Sequence, residues 1–175
     1  MRVLIPLFVL CFFFSCTDNK DKPSVRALLL EQLRNSHTDK DWYVPLNFAL
    51  QGLTAEQANW KDSTENHSIC QLVSHLTFWN ERILIAFQGN TPPDFNDNND
   101  ETFLNYCNTD WEATVSKLDS LQTAWEKAVE NASEKQLKEW SSSVANISSH
   151  NAYHTGQIIY IRKKNNWWKN SMGVK

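Results

Sequence analysis

The sequence predicts an all-α fold, a four-helix bundle, and three observations lead there. Apolar residues recur at helical spacing in four long segments. Between the segments lie stretches carrying proline, glycine, asparagine and aspartate, which favour turns. No alternating run of β-branched residues between turn signals is long enough to propose a sheet, and no internal repeat is apparent. The 175 residues suit one domain, which at that size buries enough surface to be stable alone.

The first twenty or so residues fall outside that bundle. Arg2 precedes an apolar run from Val3 to Phe14 that ends at Ser15-Cys16 and turns polar at Thr17-Asp18-Asn19-Lys20, the layout of a signal peptide. The run is interrupted by Pro6 and is well short of the roughly 20 apolar residues a spanning helix needs. Phe13-Phe14-Ser15-Cys16 resembles a bacterial lipobox, which implies that residues 1–15 are removed and that Cys16 carries lipid. Residues 16–22, with Asp18, Asn19, Lys20, Asp21 and Lys22, then form a polar tether to a domain at 23–175. The expected location is the bacterial cell envelope, with the lipid rather than a protein segment holding the domain at a membrane.

The bundle's first helix is expected from Ser24, where Val25, Leu28, Leu29 and Leu33 recur at helical spacing just after Pro23. It is expected to bend or break near Asp41-Trp42-Tyr43-Val44-Pro45 and to resume through Leu46, Ala49 and Leu50 to Gly52. Thr54 with Gln57, and Ser68 with Gln71, both have capping-box spacing, and the second pair should open helix two. That helix carries Ile69, Leu72, Val73, Leu76, Trp79, Ile83 and Phe87 and stops by Gly89 and Pro92-Pro93. Residues 91–100 read as a surface loop. Helix three is expected from about Thr102 to Asn131, with Leu104, Trp111, Leu118 and Trp125 at heptad spacing. The last helix is expected from near Ser143 through His150, His154, Ile158 and Ile161 to Lys164, whose basic end suits a helix C-terminus.

Composition narrows the function classes. A net charge of −3 with no basic cluster argues against a nucleic-acid partner. The tryptophans are scattered and read as core or interface anchors. With Cys11 in the signal and Cys16 lipidated, Cys70 and Cys107 remain as either one disulfide or two buried thiols, and neither has metal-ligand or redox spacing.

The chemistry-bearing pattern is His150 and His154, four residues apart, with a third histidine at His75. Side chains at i and i+4 lie above one another on a helix, so both imidazoles reach one cation. Three protein ligands leave coordination positions for water or substrate. Gln157 is placed to hydrogen-bond a ligand, and Tyr153 and Asn151 to orient neighbouring groups, or else these residues serve helix packing. His67 is expected at the start of helix two and His37 on a solvated part of helix one.

The segment from Ser68 to Arg82 around His75 and the segment Asn151-Ala152-Tyr153-His154-Thr155-Gly156-Gln157-Ile158 are similar to the two signature segments of the DinB-like superfamily. Asp41-Trp42-Tyr43-Val44-Pro45 and Gly52-Leu53-Thr54-Ala55-Glu56-Gln57-Ala58 resemble that family's first helix and following turn. The resemblance implies a DinB-like four-helix bundle with one metal ligand from helix two and an HxxxH pair from helix four, which fall on His75, His150 and His154. It also implies a divalent cation, zinc or nickel foremost with iron or copper as alternatives, and dimerisation as a homodimer is common in the family. Characterised members include thiol transferases, in which the metal activates a small thiol. The expected function is therefore a membrane-tethered metal-dependent transferase or hydrolase acting on a small molecule. One alternative is a non-catalytic envelope lipoprotein with a structural metal or a partner-binding role, and another is that the histidines bind nothing and form a hydrogen-bonded polar core.

Overall fold

The computed structural model describes residues 23–64, 66–103 and 110–174. Cys16, the signal segment 1–15 and the tether 16–22 lie outside the described residues, as do Leu104 and Cys107. Six α-helices are described: α1 (Val25–His37), α2 (Leu46–Leu50), α3 (Ala55–Asn59), α4 (Ile69–Phe87), α5 (Trp111–Asn131) and α6 (Glu134–Lys164). Among the described residues there is no strand, and no helix is long and apolar enough to cross a membrane. The four long helices make the bundle: α1 packs on α5 and α6, and α4 packs on the same two.

Each helix start has a local cause. Ser24 accepts from the amide of Ala27 and caps α1. Of the expected bend or break, the structure has the break: helix one ends at His37, and helical structure resumes as the short α2 at Leu46, immediately after Pro45. Proline holds Val44 out of the helical region and supplies no amide to continue a ladder. Both capping boxes form, Thr54 with Gln57 opening the short α3 and Ser68 with Gln71 opening α4. α5 begins nine residues later than the sequence suggests, at Trp111 behind the Asp110 cap. Thr102 instead belongs to a 3-10 turn, Asn99–Phe103. α6 begins earlier than expected, at Glu134 behind Ser133, because Leu137 and Val144 already face the core through a turn crowded with Lys135, Lys138 and Glu139.

The apolar core is divided. One cluster gathers α2, α3 and the first half of α4 around Leu46, Ile69, Leu76, Leu118 and Ile158. The other joins α1 to the far halves of α4 and α5 around Leu33, Phe87, Trp125, Val129 and Val144. Asn80 and Asn151, both fully buried, exchange side-chain hydrogen bonds of 2.8 and 3.3 Å between α4 and α6, and Trp125 Nε1 donates to the Asn80 carbonyl at 3.1 Å. Polar groups so buried are tolerated because each is paired, and the pairing fixes the register of α4 on α6.

One expectation about an individual residue changes and one open alternative closes. His37 is not solvated: it is 4% exposed, with Nδ1 2.7 Å from Glu126 and Nε2 2.8 Å from Asp119, both on α5. Cys70, for which the sequence leaves both a disulfide and a buried thiol open, is disulfide-bonded.

Candidate metal centre

The register of α4 on α6 sets the site. His75 lies two turns into α4, and His150 and His154 lie one turn apart on α6. Their Nε2 atoms converge: that of His150 is 3.0 Å from that of His75 and 3.0 Å from that of His154. The three rings can each offer one nitrogen, all within 4.8 Å of one another, and form a group that could hold a metal ion. His75 and His154 are buried at 3% and 6% exposure, and His150 is half-buried.

Hydrogen bonds behind the rings decide which nitrogen faces inward with a lone pair. The Thr102 hydroxyl donates its single proton to the Asn99 carbonyl at 2.6 Å, so its oxygen accepts from His75 Nδ1 at 2.5 Å. The Gln157 side-chain oxygen accepts from His154 Nδ1 at 2.7 Å, while its amide nitrogen donates to the Tyr153 hydroxyl at 3.2 Å. With Nδ1 protonated in each, Nε2 of His75 and of His154 is a bare acceptor aimed at His150. His150 Nε2 carries at most one proton and satisfies only one of them. The cluster thus has more lone pairs than protons, the donor chemistry that suits a cation, and two donors 3.0 Å apart are close enough to share an ion at about 2.0–2.1 Å from each.

Electrostatics favour the same form of the rings. Burial, then the positive charge each neighbour would carry, holds His75 down at about 3 and His150 at about 4. Burial lowers His154 as well, against the opposing effect of the Gln157 bond. All three are neutral at neutral pH, the state in which imidazole binds a metal.

The remaining expected residues fall in different places. Gln157 and Tyr153 stand behind His154, whereas Asn151 faces Asn80 and ties the two helices together. His67 is outside the cluster; its ring stacks on Phe103 at 3.8 Å, and Phe103 stacks on His75 at 4.0 Å. Thr102 and Phe103 are the site residues that sequence reasoning missed. Their signal lies upstream: Asn96 and Asn98 accept from the backbone amides of Asn98 and Asp100, and both bind the Glu101 carboxylate, folding the loop back over α4. In front of the histidines lies an open cavity of about 700 Å³ between α4, the 3-10 turn and α6.

A family model described as the DinB superfamily matches residues 37–158, well over half of the chain and all three histidines. No curated protein and no solved structure matches.

Proposed function

The chain belongs to the DinB superfamily, and on that footing we propose that it is a divalent-metal protein whose ion is held by Nε2 of His75, His150 and His154. The observation that carries this reading is the convergence of three Nε2 atoms, with the tautomers of His75 and His154 set from behind by Thr102 and Gln157. Zinc or nickel is the ion we put foremost, with iron and copper as alternatives, since imidazole ligands suit all four. The site opens into a cavity instead of being sealed in the core, which favours a role with a small-molecule substrate over a purely structural metal. A metal-dependent transferase or hydrolase is the activity we infer.

A bound divalent ion supplies Lewis acidity toward an oxygen or sulfur of a substrate. The chain's own residues do the rest. Thr102 and Gln157 hold His75 and His154 against rotation, and Phe103, stacked flat on His75, keeps water from that ring's face. Tyr153, exposed at the rim and hydrogen-bonded to Gln157, is placed to meet a substrate entering the cavity.

We further propose that lipid on Cys16 tethers the domain in the bacterial envelope through residues 16–22. The Cys70 disulfide supports an oxidising compartment, where such bonds persist.

Elemental analysis after equal metal exposure tests the centre. About one equivalent in the wild type, lost in folded His75→Ala, His150→Ala and His154→Ala variants, is expected; a metal-free wild type would sink the reading. Incorporation of labelled palmitate into the full-length protein in cells, abolished by Cys16→Ser, tests the tether.

A further inference from the structure

The walls of the cavity in front of the histidines have a one-sided chemistry. Trp79 and Ile83 of α4, Phe103 of the 3-10 turn and Ile147 of α6 make its apolar surface, with Asn99 and Asn146 among its neutral polar groups. Among the described residues lining it, none is Lys, Arg, Asp or Glu. Trp79 is held by its own ring nitrogen, which donates to Asn99 at 3.3 Å, and by edge contact with Phe78 and Phe95 at 5.2 and 5.9 Å. A preformed aromatic wall therefore stands beside the imidazoles. A separate cavity that shares Tyr153 does carry Lys61, Asp62 and Lys164, but there Lys164 and Asp62 pair with each other at 2.6 Å.

Charge balance then restricts what fits. Three neutral imidazoles leave a divalent ion with its whole double charge, and a charge out of bulk water is costly unless an opposite charge meets it. One anionic group on a ligand, bound at the ion, offsets half of that charge. A second anionic group at the far end of the ligand, out of reach of the ion, would lie against these uncharged walls with no cation among them to pair with. An apolar body, by contrast, gains from covering Trp79, Phe103, Ile83 and Ile147.

We propose that this site binds small monoanions with an apolar, aromatic-sized body, the single anionic head at the three histidines' ion and the body against Trp79, Phe103, Ile83 and Ile147. This rests on the metal reading above. It separates the chain's substrate class from small thiols that carry several carboxylates, which need basic side chains to receive them.

The test uses the purified full-length protein, metal-loaded and checked by elemental analysis, with calorimetric titration of three probes that share one benzene ring. Phenylacetate carries one negative charge, 1,4-phenylenediacetate two, at opposite ends of the ring, and 2-phenylethanol none. Phenylacetate is expected to bind at least tenfold more tightly than either of the others and to lose binding when the ion is removed. Trp79→Ala should weaken phenylacetate about tenfold at unchanged metal content while leaving the much weaker binding of acetate where it was. Equal or tighter binding of 1,4-phenylenediacetate, or a Trp79→Ala protein that binds phenylacetate as the wild type does, would overturn the proposal while the metal centre stands. A wild type that takes up no metal would overturn the metal reading, and this proposal with it.

Discussion

Two settings for buried histidine occur in this bundle, and they are built in opposite ways. His37 presents each ring nitrogen to a carboxylate, Glu126 at 2.7 Å and Asp119 at 2.8 Å. His75, His150 and His154 present Nε2 to one another, and behind His75 and His154 stand neutral partners, the Thr102 hydroxyl and the Gln157 amide. The first ring is saturated by the protein and clasps α1 to α5. The second group has acceptors left over, so it is complete only with something added. Burial alone therefore does not mark a ligand histidine; the difference lies in what the second nitrogen meets.

Substitution of single histidines separates the two settings most sharply. His150→Ala is expected to abolish metal uptake, because His75 and His154 then keep no common partner at 3.0 Å, whereas His37→Ala should keep about one equivalent. Elemental analysis of both folded variants reads the contrast; metal loss on both would mean that the two settings are not distinct. Next in size are the groups behind the rings. Thr102→Val and Gln157→Leu should each weaken metal affinity roughly 10- to 100-fold, measured by competition with a chelator. A change confined to thermal stability would reduce Thr102 and Gln157 to packing residues.

A smaller effect is expected at the clasp. His37→Ala should cost about 1–2 kcal/mol in urea unfolding, since it leaves carboxylates at a helix interface without their donor. The low end is favoured because Asp119 is half exposed and Arg34 stands 3.6 Å from Glu126. An unchanged urea midpoint would show that the clasp contributes nothing.

The same comparison explains what could be read from the chain. The His150 and His154 pair is legible because one helix sets its spacing, and the capping boxes at Thr54 and Ser68 are legible because both partners are three residues apart. The burial of His37 is not, since its partners are 82 and 89 residues away and nothing local records them. Thr102 and Phe103 were hidden for a different reason. They reach His75 through a loop folded by Asn96, Asn98 and Glu101, and heptad spacing through the unseen turn made that stretch look like the start of α5. The early start of α6 was hidden because charged residues thin its first apolar turns, although Leu137 and Val144 are in place.

The last contrast is one of pH, and it is clearest in metal-free protein. His75 and His150 are held at about 3 and about 4 in the folded chain, and His154 is lowered too, each first by burial. In the unfolded chain all three return to about 6.5. Above that value neither state carries the extra protons and stability is at its full level. As pH falls below 6.5 the unfolded chain takes up protons that the folded cluster refuses, so stability drops through the window from about 6.5 down toward 3. Urea midpoints of the metal-free wild type should therefore fall between pH 7.5 and pH 5, and a variant with His75→Ala and His150→Ala together should fall less steeply. If the two slopes coincide, the imidazole cluster is not what resists protonation. Metal should steepen the wild-type slope further, because protons and the ion compete for the same Nε2 atoms.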